Sequence, residues 1–211
     1  MITSLEEVLA AAVDKGGDKM IAVAAAHDKD VLAAIKEAYR IGLATAILVG
    51  DAERVHRIAA EIDFDLDKIR VIHEPDPVAA AREAVRLVRR GEAQMLMKGL
   101  VNTADILRAV LDKENGLRTG RVLSHIAIME ALGYGRLLLL TDGGMNIAPD
   151  LKQKAQLIAN AVDVARCLGI DCPKVALITA FEQVNPDMPA TIEAALLAKM
   201  ADRGQIKHCI V

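Results

Sequence analysis

The chain has 211 residues, 53% hydrophobic and 26% charged, a balance that suits one large or two small compact domains and excludes a disordered segment. A formal net charge of −3 and an aromatic content of 2%, with no Trp, argue against a general nucleic-acid binder, which needs a basic surplus or stacking platforms. No apolar run reaches bilayer length and the acidic start MITSLEEVLAAAV is not a secretory leader, so the expectation is a cytoplasmic protein with no membrane partner.

In chain order, Ser4 with Glu7 predicts a capping box for a first helix through Ala12. KMIAVAA (19–25) reads as a buried strand, followed by His27-Asp28 and a helix with apolar positions at helical spacing through Tyr39. TAILVG (45–50) is a second strand, and Asp51 can cap the helix AERVHRIAAEI. IRVIHE (69–74) is a third. Asp76-Pro77 opens a helix to Arg89-Arg90, with Gly91 as its stop. QMLMKG (94–99) is a fourth strand and TADILRAVLDK (103–113) a helix. Short apolar strands separated by helices predict a doubly wound α/β domain with a mostly parallel sheet.

The rhythm breaks at ENGLRTG (114–120), which marks a boundary between a first α/β domain, 1–115, and a second, incomplete one, 116–211. RVLSHIAIMEAL (121–132) and RLLLLTDG (136–143), joined by a short Gly-Tyr-Gly turn, predict an antiparallel hairpin near 121–141. A helix from Pro149 to Leu168, a strand KVALITA (174–180), a helix from Pro189 to Asp202 and a strand IKHCIV (206–211) follow. A chain that stops inside a predicted strand is expected to be a truncated form.

Two strand ends carry more polar groups than a turn requires. At MKGLVNTADILRAV (97–110), Lys98-Gly99 ends a strand and Asn102-Thr103 opens a helix. Open N–H groups, the Thr103 hydroxyl and a nearby cation can hold a phosphate. The plainer reading makes Thr103 an N-cap and Lys98 a solvated strand end. At LLLLTDGGMNIAPD, Gly143-Gly144 permits positive φ and close approach of a ligand, with Thr141, Asp142 and Asn146 around the gap. The plainer reading is a glycine turn whose polar side chains bond local backbone.

Neither a dinucleotide fingerprint nor a phosphate-binding Gly-Lys-Ser/Thr loop is present. Cys167, Cys172 and Cys209 form neither a disulfide framework nor a metal set, and read as small buried thiols; no metal is expected. His27, His56, His73, His125 and His208 are each better explained structurally than catalytically. Ser124-His125 in particular is not a catalytic pair, because neighbouring strand residues face opposite ways.

At MKGLVNTADILRAVLD and LLLLTDGGMNIAPDLKQKAQLIANAV, and again at ENGLRTGRVLSHIAIME and KVALITAFEQVNPDMPATIEA, the sequence resembles the phosphate acetyltransferase/phosphate butyryltransferase family, most nearly its butyryltransferase branch. The resemblance implies two α/β domains like those of isocitrate and isopropylmalate dehydrogenases. It implies acyl transfer between coenzyme A and inorganic phosphate, with acyl-CoA, phosphate and acyl phosphate as small-molecule partners. It also implies no tightly bound cofactor and a homo-oligomer. Gly99, Asn102, Thr103, Asp142, Asn146 and Pro149 match positions that border the family's cleft. Lys98, Gly99, Asn102, Thr103, Arg108, Thr141, Asp142, Gly143 and Asn146 form the expected substrate-binding set, although the spacing of Arg108 can turn it toward solvent. Family members continue beyond the counterpart of IKHCIV with the serine, arginine and aspartate assigned to binding and thiol activation, so no residue here inherits a catalytic role. The alternatives are an inactive CoA- or phosphate-binding module and a related acyl-phosphate-forming acyltransferase.

Overall fold

The computed structural model describes residues 2–16, 19–131 and 133–211; Leu132, at the end of the predicted 121–132 segment, lies outside the described residues, as do Met1, Gly17 and Asp18. The chain divides into two compact units, Ala10–Thr119, and Met1–Leu9 with Gly120–Val211. Helix α1 (Leu5–Asp14) starts at Ser4, whose Oγ accepts the Glu7 N–H at 3.1 Å. The return half of the expected capping box goes to Thr3, whose N–H donates to the Glu7 carboxylate at 2.7 Å.

The unit Ala10–Thr119 is built on four parallel strands, β1 (Met20–Ala24), β2 (Thr45–Gly50), β3 (Arg70–His73) and β4 (Met95–Lys98), in the order β3-β2-β1-β4. Helices α2 (Lys29–Arg40), α3 (Ala52–Glu61), α4 (Pro77–Arg89) and α5 (Thr103–Val110) connect and follow them. Alternate strand residues face opposite ways. Ala22, Ala24, Ile47 and Val49 therefore pack with Ala80, Ala84, Leu87 and Ile106 of α4 and α5. Val23, Ala46 and Leu48 pack with Leu32 and Ile35 of α2 and with Val55 and Ala59 of α3. Burial on both faces explains why β1 and β2 are apolar apart from Thr45.

The caps follow from sequence. Asp28, Asp51 and Asp76 each accept backbone N–H groups in the first turn of α2, α3 and α4. Gly91 ends α4 with φ +76°, just beyond Arg90 as C-cap. Because β1 lies between β2 and β4, the winding reverses there, and the carboxyl ends of β1 and β4 flank a switch point of the kind where α/β sheets bind ligands.

The other unit holds an antiparallel pair, β5 (Ala127–Glu130) with β6 (Leu137–Leu140), and helices α6 (Leu151–Cys167) and α7 (Pro189–Asp202). The helix predicted from Pro149 starts two residues later, where Asp150 and Gln153 form a reciprocal capping box. Ile158 and Val162 of α6 pack with Leu197 of α7 and Ile206. The hairpin is present but shorter than predicted, since 122–126 form no ladder.

Segments 174–180 and 206–211 are not strands either: among the described residues one parallel bridge, Lys174 with Ile210, is their only ladder pairing. Residues 174–180 keep the alternation of a strand, with Val175 and Leu177 half-buried and Ile178 86% exposed. Apolar alternation selects an extended chain, but a strand also needs a hydrogen-bonded neighbour. The architecture is thus mixed α/β, a four-stranded parallel sheet with helices on both faces and a separate antiparallel pair. Among the described residues no helix is long and apolar enough to cross a membrane.

Candidate functional site

Lys98, Gly99, Asn102 and Thr103 come together where β4 passes into α5. Gly99 is buried, and its N–H donates to Ala24 O at 2.8 Å, while Leu100 N–H donates to Ala25 O at 2.9 Å. A Cβ at Gly99 would lie 2.4 Å from Ala25 O and 2.7 Å from Ala24 O, so glycine is required there by the chain's own packing. This continued pairing with the end of β1 fixes the direction of α5.

Asn102, not Thr103, is the N-cap of α5; its side chain makes no capping bond and instead lies 3.4 Å from Asp105 Oδ2. Thr103 is the first helical residue, with an exposed hydroxyl. Among the described residues the Thr103 and Ala104 N–H groups have no acceptor, as the start of a helix dictates. The Lys98 ammonium is more than a solvated end: it donates to Val101 O at 2.8 Å and Gly99 O at 3.3 Å, which anchors a positive charge over the loop that leads into α5. Open N–H groups, a hydroxyl and a cation on one loop make a local anion-binding arrangement.

Arg108 is not part of it. The guanidinium pairs with Asp105 at 2.6 Å and, with Arg82 and Arg86, lines a cavity of about 340 Å³ along α4 and α5 that Thr103 does not line.

In the other unit Thr141, Asp142, Gly143 and Asn146 occupy the turn after β6. Asp142 organises it. Oδ1 accepts the Gly144 and Met145 N–H groups at 2.9 and 2.8 Å; Oδ2 accepts the His125 N–H at 3.0 Å and Asn146 Nδ2 at 2.7 Å. Burial acts to raise this carboxyl, but the four hydrogen bonds outweigh it and hold it far below the usual aspartate value. With its lone pairs filled from within the protein, Asp142 shapes the turn and has nothing left for a ligand donor.

Asn146 spends its second N–H on Leu123 O at 2.9 Å, which leaves Oδ1 available. The Thr141 hydroxyl is buried and has no partner among the described residues. The glycines differ from expectation: neither Gly143 nor Gly144 has positive φ, and a Cβ on either meets nothing within 4 Å. Among the described residues no packing accounts for them.

The low carboxyl value sets a pH dependence. An aspartate depressed in the folded state stabilises it fully above its unfolded value of 3.8, and this stabilisation drains away as the pH falls toward the folded value. Urea unfolding of the chain should therefore weaken from about pH 5 downward, and Asp142→Asn should flatten that slope.

The histidines follow the structural reading where their contacts are defined. His27 is buried, and Nδ1 accepts the Asp51 N–H at 3.2 Å; burial, followed by the charge of Arg54, pushes its pKa down. His73 Nδ1 likewise accepts the Ala52 N–H at 3.2 Å. Both brace the start of α3. Among the described residues no three His, Cys, Asp or Glu side chains gather as a metal site.

Sequence reasoning missed a row of polar residues on α6. Gln156, Asn160 and Asp163, at i, i+4 and i+7, all bond residues 121–124. That helical spacing was the available signal.

The family model for phosphate acetyl/butaryl transferases matches residues 4–83 and 76–211, so the chain belongs to this family. It is 49% identical over 211 residues to a phosphate butyryltransferase of Clostridium acetobutylicum, covering 100% of this chain and 70% of that protein. It is 53% identical over 193 residues to a phosphate butyryltransferase of Clostridium beijerinckii, covering 92% of this chain and 64% of that protein. Among solved structures, a branched-chain phosphotransacylase from Enterococcus faecalis superposes with a TM-score of 0.78 at 31% identity, over 92% of this chain and 67% of that one. The chain thus spans about two thirds of the length of these relatives.

Proposed function

We propose that this chain serves the reaction acyl-CoA + phosphate ⇌ acyl phosphate + CoA. A phosphate oxygen attacks the thioester carbonyl carbon; a C–O bond forms, the C–S bond breaks, and CoA leaves as a thiolate that takes up a proton. The observation that carries this reading is the start of α5, where the Thr103 and Ala104 N–H groups, the Thr103 hydroxyl and the Lys98 ammonium are all available to phosphoryl oxygens. Such fixed groups act by positioning the reactants and stabilising developing negative charge. Family membership supports the same chemistry.

CoA enters as a substrate, not a resident cofactor, and a metal has no role in this reading. The cytoplasmic setting is carried over from the sequence reading and the homo-oligomer from the family resemblance.

Calorimetric titration with inorganic phosphate and with butyryl phosphate tests the anion site. Thr103→Val and Lys98→Met should each weaken binding about tenfold, the scale of one charge-assisted hydrogen bond. Thr103→Val should leave stability within about 0.5 kcal/mol, since the side chain is exposed. Undiminished affinity in both variants would remove the α5 site from the reaction.

A further inference from the structure

Residues 122–125 form no strand, and yet four of their backbone groups are held by side chains from elsewhere in the unit. Val122 N–H donates to Gln156 Oε1 at 2.9 Å, and Val122 O accepts from Asn160 Nδ2 at 2.9 Å. Leu123 O accepts from Asn146 Nδ2 at 2.9 Å, and His125 N–H donates to Asp142 Oδ2 at 3.0 Å. The clamping side chains come from 17 to 38 residues away. A connecting segment usually solvates its own backbone, so a stretch held in this way is a built surface, with its conformation fixed in advance.

Ser124 sits in the middle of it. Asn160 Nδ2 donates to Ser124 Oγ at 2.8 Å, in addition to its bond to Val122 O. A serine hydroxyl has one donor and two acceptor positions. The Asn160 amide fills an acceptor position, so the hydroxyl hydrogen is turned away from Asn160. Among the described residues it has no acceptor. Ser124 is half-buried, and an oriented donor in such a place, with no acceptor among the described residues, is suited to an external oxygen.

We propose that Ser124 is a substrate-binding residue whose O–H donates to an oxygen of the acyl phosphate, and that Asn160 is the positioning residue that aims it. The same Asp142 and Asn146 side chains that shape the turn after β6 also hold the ends of this segment, so the turn and Ser124 are one hydrogen-bonded assembly. This inference rests on the acyl-phosphate chemistry proposed above. It adds a donor on the 122–125 segment, which the sequence reading treated as an ordinary strand.

The experiment is calorimetric titration of butyryl phosphate into the unmodified chain and into Ser124→Ala, Ser124→Thr, Asn160→Ala and the Ser124→Ala/Asn160→Ala double variant, with thermal melts of each. Ser124→Ala should weaken butyryl phosphate binding by about tenfold or more, and Ser124→Thr, which keeps the hydroxyl, should restore it to within about threefold. Asn160→Ala should weaken binding to a similar extent, and the double variant no further, because both changes remove one aimed donor. A lowered melting temperature in Asn160→Ala with unchanged affinity would make Asn160 structural only and overturn its role. If Ser124→Ala fails to fold, Ser124→Cys, a much weaker donor of similar size, takes its place with the same expected loss. Unchanged affinity in the Ser124 variants, with the unmodified chain binding well, overturns the Ser124 assignment and leaves the proposed reaction standing. No binding by the unmodified chain overturns both.

Discussion

Asp142→Ala is expected to cost about 3 kcal/mol of folding free energy and to abolish measurable butyryl phosphate binding. The carboxylate accepts three backbone N–H groups and one side-chain amide, and alanine offers none of them an acceptor. The loss reaches two places at once, because Oδ1 serves Gly144 and Met145 within the turn, whereas Oδ2 serves His125 and Asn146. Urea unfolding should show a lower midpoint. Asp142→Asn should fall between the two, since an amide keeps one acceptor oxygen but places two donors against existing donors. An Asp142→Ala chain as stable as the parent would mean that the turn holds its shape by other means.

Gly99→Ala is expected to destabilise the Ala10–Thr119 unit by about 1–3 kcal/mol, the usual range for forcing a group into a filled space. The obstacle is backbone: the carbonyl oxygens of Ala24 and Ala25 would lie 2.7 and 2.4 Å from the new methyl group, and both already accept hydrogen bonds from the loop after β4. Relief requires moving β4 away from β1, which disturbs the start of α5. Gly144→Ala makes the opposite case. Its added methyl meets nothing within 4 Å and its φ is ordinary, so stability should stay within about 0.5 kcal/mol of the parent. If the open space above Gly144 is where a ligand approaches, the same substitution should weaken butyryl phosphate binding. Paired urea melts and titrations of the two variants separate a glycine needed by the fold from one needed by a ligand.

The parallel sheet was legible in the sequence because each of its segments carries its own signal. Apolar runs such as TAILVG fix the strands, and Asp28, Asp51 and Asp76 mark the helix starts by hydrogen bonds within a few residues. The second unit was less legible because its order depends on distant side chains. KVALITA has the composition of a strand, but pairing is not a local property, and only Lys174 finds a bridge. RVLSHIAIMEAL divides in the middle: Ala127–Glu130 pairs with β6, and the preceding residues are held by α6 and by the Asp142 turn.

The candidate site was legible to a similar depth. Residue type pointed to the two corners, but not to what each residue does there. Lys98 bonds loop carbonyls, Asp142 is saturated by its own protein, and Arg108 turns to Asp105 and the α4–α5 cavity. Spacing along one helix could not tell Arg108 from Thr103, since which face lies next to α4 is decided by packing. Ser124 was passed over for a similar reason. Its significance comes from Asn160, 36 residues away, and no short-range pattern reports that bond.

The most direct test of the account is to mix the chain with butyryl-CoA and phosphate and follow free thiol and butyryl phosphate together. On this account both appear in equal amounts, and Thr103→Val and Ser124→Ala each slow their appearance. Thiol release without butyryl phosphate would mean that water, not phosphate, attacks the thioester, and would contradict it.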